Sequence, residues 1–166
     1  MDEFKSPFDL SDAFKQIDAR IRKSEIAASE NSAKSAKFRG ISVGYTKLST
    51  FANVDLSALI TDWNDFSSAV TTTGFNIPTY GRWRFTFQTR LDSNETQRRQ
   101  FQIAVNSGGS ISEIAQETST GPYHAINMTA LHICNVSDVV MFRYNTPTAV
   151  YGSVPTFAIV ELVKRL

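Results

Sequence analysis

Sulfur and imidazole chemistry are almost missing from this chain. Cys134 is the only cysteine among 166 residues, which excludes an intrachain disulfide, a CxxC redox pair and a cysteine-rich zinc site. The two histidines, His124 and His132, are eight apart within one predicted strand. They share a face but lie about 26 Å from one another at the usual strand rise, too far to ligate one metal unaided. Each is read as a structural or surface histidine, and Cys134 as a buried core thiol. No Ser-centred elbow, phosphate-cradling glycine loop or HExxH helix is present, so neither an enzyme nor a bound cofactor is expected. Asp55, Asp62 and Asp65 lack the every-other-residue spacing of a calcium loop.

An excess of one charge is lacking too. Seventeen basic residues stand against sixteen acidic ones, for a formal charge of +1, and that balance gives a nucleic-acid partner no electrostatic footing. The apolar runs Val139–Phe142 and Phe157–Val160 stop far short of the ~20 residues a membrane span requires. Met1-Asp2-Glu3-Phe4-Lys5 is not the basic start of a secretory signal, so assembly in a cytoplasm is expected. The Asn-x-Ser/Thr triplets at Asn94, Asn127 and Asn135 are then chance matches.

What is present divides near Gly40, because all eight glycines, both tryptophans and all five tyrosines lie at or after that residue. Residues 1–39 read as a helical segment. Ser6-Pro7-Phe8-Asp9 is a start signal: serine caps, proline tolerates the first helical position, and an acid faces the positive end of the helix dipole. Leu10, Phe14, Ile17 and Ile21 follow with 4, 3, 4 spacing, and the seam fades through Ser24, Ala28, Asn31, Ser35 and Phe38. With Leu10 at d, Arg20 and Glu25 fall at g and the following e, where parallel helices form ion pairs. An isolated helix of this length is marginal in water. Self-association or docking on its own domain would supply the missing contacts.

After Gly40 the period changes to two. Trp83, Phe85, Phe87 and Leu91 alternate with Arg82, Arg84, Gln88 and Arg90, the pattern of a half-buried strand. Its basic face, with Arg98 and Arg99 beyond the turn, is read as solvated or as a subunit contact. Phe101, Ile103 and Val105 alternate with polar residues up to Ser107-Gly108-Gly109-Ser110, a hairpin signal. Further strands fit Ile41–Leu48, His124–Cys134, Asp138–Asn145 and Phe157–Lys164. Around Met128 the apolar phase slips, with Ile126, Met128 and Ala130 on one face and Leu131 and Ile133 on the other, which predicts a bulge. Eight or more short strands imply a sandwich.

The order of these segments resembles the complement C-one-q globular head, one of the tumour-necrosis-factor-like jelly rolls. Ile41-Ser42-Val43-Gly44 is similar to that family's opening Phe-Ser-Val-Gly strand, and Trp63-Asn64-Asp65-Phe66 to its Asn-containing segment. The stretch Gly74-Phe75-x-Ile77-Pro78-x-x-Gly81-x-Trp83-x-Phe85 is similar to its central signature. Leu131 through Ser137-Asp138-Val139 and Thr156–Leu162 resemble its later strands. Ser137 stands where glycine is usual, Ala158-Ile159 replaces a common Ser-Gly, and no collagen-like Gly-X-Y repeat is present. A helical segment occupies the stalk position instead.

The resemblance implies an all-β head over 40–166 behind a coiled-coil stalk over 1–39, in a homotrimer. Bacteriophage structural proteins are a group in which such heads occur, so a virion spike, fibre or head-decoration protein is expected. It would attach to capsid or tail proteins by its N-terminal segment. The fifteen aromatic residues after Gly40 independently favour assembly, because one thin sandwich does not comfortably bury so many. Leu10, Phe14, Ile17, Ile21 and Ala28 are the expected stalk contacts. Phe75, Trp83, Phe85, Phe87, Phe101, Phe142 and Phe157 are the expected core or trimer packing. The loops Asn94–Arg98, Gln116–Tyr123 and Thr146–Val154 would carry binding specificity, for a host-surface glycan among other ligands, with Tyr123 and Tyr151 as candidate contacts. A cellular cytokine-like or lectin-like trimeric module is the rival reading.

Overall fold

A computed structural model describes residues 15–23, 34–40, 43–45, 48–66, 69–92, 97–121, 124–147, 150–152 and 155–166. The chain divides into two compact units, Met1–Ser32 and Ala33–Leu166. In the first, residues 15–23 are helical and exposed throughout, with Ile17 and Ile21 both about half accessible. Arg22 pairs with Asp18 one turn earlier, at 3.1 Å. Leu10, Phe14, Glu25 and Ala28 lie outside the described residues.

The second unit is a two-layer antiparallel sandwich. Its strands are β1 (Ser35–Gly40), β2 (Gly44–Tyr45), β3 (Ala52–Asn53), β4 (Ile60–Asn64), β5 (Phe75–Asn76), β6 (Gly81–Asp92), β7 (Arg99–Ser107), β8 (Ser110–Ser119), β9 (Ala125–Cys134), β10 (Val139–Asn145), β11 (Val150–Gly152) and β12 (Thr156–Arg165). The larger sheet runs β2-β11-β6-β12-β1-β4, with β9 on the other side of β6; the smaller runs β3-β10-β7-β8, with β5 on β10.

Alternation explains the layering. Phe38, Trp83, Phe85, Phe87, Leu91, Ile126, Ala158 and Val160 of the larger sheet are buried. They meet Phe75, Phe101, Ile103, Val105, Val140 and Phe142 of the smaller. Phe87 stacks between Phe101 and Phe142, at 6.1 and 5.6 Å. Of the seven expected packing aromatics, six are core residues of a single chain, and Phe157 is half-buried on the outward side. One chain therefore absorbs most of its aromatics. Trp63 and Tyr80 are the large exposed ones among the described residues.

Three local expectations are corrected. Residues 35–39 are strand rather than the end of a helix: Phe38 is fully buried, and β1 pairs with both β12 and β4. Burial of Ala36 and Phe38 at period two outweighs a helical seam that had already faded. Within Ile41–Leu48 the described strand is Gly44–Tyr45, Val43 and Leu48 are not strand, and residues 41–42 and 46–47 lie outside the described set. No bulge interrupts β9, whose pairing with β6 runs without a shift from Gly81↔Cys134 to Arg90↔Ala125. Leu131 and Ile133 simply face outward. The hairpin forms as expected, with Gly108 and Gly109 at φ +58° and +93°, left-handed positions that glycine occupies without a Cβ penalty.

Candidate assembly face

The outward side of the larger sheet can be assembled row by row from the strand register. Ile60, Arg39, Phe157, Gln88 and Asn127 lie side by side across β4, β1, β12, β6 and β9. In the next row are Trp63, Lys37, Ile159, Thr86 and Thr129, followed by Glu161, Arg84 and Leu131, then Lys164, Arg82 and Ile133. Strand alternation puts these side chains on one face because their neighbours fill the core.

Much of the polarity on this face is already satisfied. Asp62 receives both Lys37 (3.5 Å) and Arg39 (3.1 Å), and Arg84 meets Glu161 at 3.5 Å. Lys37 also sits over the rings of Phe157 and Trp63, at 4.4 and 5.2 Å. Thr86 bonds Thr129 at 3.2 Å, and Gln88 donates to Asn127 at 3.1 Å. Arg82 and Arg90 have no such partner among the described residues. The apolar members lie open: Leu131 is 59% exposed, Ile133 47%, Ile60 47%, Trp63 45% and Val163 46%. Arg82, Leu131, His132 and Ile133 line a hollow of about 400 Å³.

The smaller sheet's outward side is different in kind. Gln102 is buried there and donates to Glu113 (2.6 Å) and Gln116 (2.8 Å), while Ile111 is its one large exposed apolar residue among those described. Arg99, read from the sequence as part of a basic face, is instead fully buried at the start of β7, and its Nη2 donates to the Gly121 carbonyl at 2.7 Å. Strand alternation does signal this, because Arg99 has the parity of Phe101, Ile103 and Val105, the inward residues of β7. His124 is held by Glu117 at 3.1 Å, across the β8–β9 connection.

The remaining chemistry-bearing groups are spent on structure. Cys134 is buried, and desolvation, reinforced by the nearby Asp138 carboxylate, pushes its thiol up to about 12. Burial likewise pushes the Tyr45 phenol up to about 12, where it shares a hydroxyl cluster with Thr89 and Thr156. Asp55 caps the 3-10 turn Leu56–Ala58, Asp62 holds two cations, and Asp65 accepts from the Ser35 amide. Among the described residues no grouping of His, Cys, Asp and Glu is arranged to hold a metal. No described helix is long and apolar enough to cross a membrane. Tyr123 and the side chain of Tyr151 lie outside the described set; the backbone of Tyr151 pairs with Gly44 and Asp92.

No protein-family model matches the chain, and no curated protein matches it in sequence. Solved structures do match. The Eiger TNF of S. frugiperda superposes with a TM-score of 0.63 at 10% identity, over 81% of this chain and 94% of that one. The globular domain of zebrafish complement 1qA protein gives 0.57 at 14% identity, over 80% and 99%. The chain has the fold of a tumour-necrosis-factor-like jelly roll. The same jelly roll is matched by PRD1 vertex protein P5, with a TM-score of 0.57 at 15% identity, over 78% of this chain and 72% of that one. Identities this low speak for the fold alone.

Proposed function

We propose that this protein is a non-enzymatic structural component of a bacteriophage particle. In this reading three copies form a spike, fibre or head-decoration protein, carried on the virion by the N-terminal segment with the jelly roll outward. The observation that carries it is the outward face of the larger sheet, where Ile60, Trp63, Leu131, Ile133 and Val163 stand in water. They stand in two groups, Ile60 and Trp63 on β4 and Leu131 and Ile133 on β9, with Val163 on β12 between, and apolar side chains left exposed on one sheet face are the material of protein interfaces. The unpartnered Arg82 beside Leu131 and Ile133 has the make-up of an interface anchor. Ile17 and Ile21, exposed on residues 15–23, supply a second surface for self-association. Likeness to a vertex protein, together with side chains committed to structure rather than catalysis, supports a virion role over an enzymatic one.

The test is the molar mass in solution by light scattering after size exclusion, for the full chain and for a chain beginning at Ala33, which preserves β1. Three chain masses for both place assembly in the jelly roll. Three for the full chain and one for the shorter place it in the helical segment. Monomers in both cases overturn the reading.

A further inference from the structure

Beside the assembly face, a cleft of about 470 Å³ opens between the β1 and β4 side of the larger sheet and the β3 and β10 side of the smaller. That volume lies within the ~300–1,000 Å³ of ordinary small-molecule sites. Val43, Val54, Leu59 and the two tyrosines Tyr45 and Tyr144 make its apolar lining, and Arg39, Asn53 and Asp55 contribute polar groups. The lining depends on a glycine. A Cβ on Gly40 would sit 2.2 Å from the Val43 Cγ2 and 3.0 Å from the Leu59 Cδ2, so any side chain there would displace the wall.

The polar groups retain hydrogen-bonding capacity. Arg39 spends Nε on Asp62 and, among the described residues, keeps both terminal nitrogens. The Oδ1 of Asp55 accepts from Ser57 N, Ser57 Oγ and Ala58 N, which leaves Oδ2. The Asn53 amide has no hydrogen-bond partner among the described residues, although it can both donate and accept. Tyr45, by contrast, spends its hydroxyl on Thr89 and Thr156 and is buried, so it forms the floor behind the cleft rather than a contact surface. Asp62 is shared by Arg39 and Lys37, and with Asp55 the two positive and two negative charges cancel, so neither an anion nor a cation is favoured. A ligand that fits must be neutral, carry alternating donors and acceptors, and present an apolar face.

We propose that this cleft binds a neutral saccharide, its ring C–H face on the half-buried Val43 and Leu59 and its hydroxyls on Arg39, Asn53 and Asp55. The site differs from the loops that carry Tyr123 and Tyr151, and it shares Arg39 and Ile60 with the edge of the assembly face. The test is titration of the ¹⁵N-labelled full chain with the methyl glycosides of glucose, galactose, mannose and N-acetylglucosamine. The expected result is a saturable shift of the Asn53 side-chain amide and of the Gly40 and Gly44 backbone amides with at least one of the four. Ala58→Phe, at an exposed position on the cleft rim, fills the space and abolishes the shift while the rest of the spectrum is retained. Asn53→Ala weakens binding about tenfold, the loss of one well-made hydrogen bond. Absence of saturable shifts with all four, shifts that persist in both variants, or shifts confined to other residues overturn the proposal. Light scattering on the same sample reads assembly separately, so a trimer that binds no glycoside refutes the cleft and leaves the proposed function standing.

Discussion

The two faces of the larger sheet are built from the same strands and have opposite fates. Facing inward, Phe38, Trp83, Phe85, Phe87, Leu91 and Val160 are sealed by the smaller sheet of the same chain. On the outward side, Leu131 and Ile133 alternate with Met128, Ala130 and Cys134, yet nothing within the described chain covers them. The smaller sheet's outward side, with its Gln102–Glu113–Gln116 network, shows what a water-adapted face of this protein looks like. The contrast separates two kinds of apolar residue: those that hold the fold, and those the described chain leaves exposed.

That division is broken most directly by substituting each face in turn. Trp83→Ala or Phe85→Ala empties a fully buried site and is expected to cost about 3–5 kcal/mol in urea unfolding, with the folded fraction keeping its assembled mass. Leu131→Asp combined with Ile133→Asp should do the reverse: folded monomers by light scattering, with an unfolding midpoint close to that of an isolated native chain. Ile111→Asp on the smaller sheet is the control and should change neither quantity. An outer-face variant that unfolds, or an inner-face variant that only dissociates, would show that the faces are not separable.

A second effect, dependent on pH, arises inside the sealed layer. Tyr45 and Cys134 have folded-state pKa values of about 12, against ordinary values of 10.0 and 9.0, because burial disfavours their anions. The folded state therefore binds more protons than the unfolded state between pH 9 and 12. Stability is fully present below about pH 9 and falls as pH rises, with a limiting slope of about 1.4 kcal/mol per unit for each group. Unfolding free energy measured from pH 8 to 11.5 checks the sign. Tyr45→Phe should flatten the part above pH 10 while leaving the Thr89–Thr156 bond of 2.8 Å in place.

How far the sequence carried these conclusions depends on the length of the pattern. The twelve residues of β6 and the ten of β9 and β12 hold enough alternation to be read directly, and their buried positions follow. β1 is six residues long, and its Ala36 and Phe38 also fit a helical seam, so the helical reading ran across the true boundary. The phase slip at Met128 misleads in a different way: two apolar residues read as core that needs a bulge, when they stand exposed on the outward face. The cleft has no signature in the chain, since Arg39, Asn53 and Asp55 come together only through the register of β1 and β3 and the turn after β3.

The smallest expected effect concerns the turn between β9 and β10. Ser137 has φ +72°, the one described non-glycine residue in the left-handed region, at a position where the resembling family usually has glycine. The turn is strongly held: Asp138 accepts from the Asn135 amide and the Ser107 hydroxyl, each at 2.7 Å, and Ser137 N donates to the Ile77 carbonyl at 3.0 Å. A left-handed L-residue costs roughly 1–2 kcal/mol, and the greater unfolded-state freedom of glycine returns roughly 0.5–1 kcal/mol of that. Ser137→Gly should therefore stabilise by about 0.5 kcal/mol, while Ser137→Val, β-branched, should destabilise by about 1 kcal/mol or more. Measuring both in the native background and in the Leu131→Asp, Ile133→Asp background sharpens the comparison of faces. Equal effects in the two mean that the turn's geometry is set within one chain; a gain that vanishes in the monomer means that the neighbour holds the turn in its strained conformation.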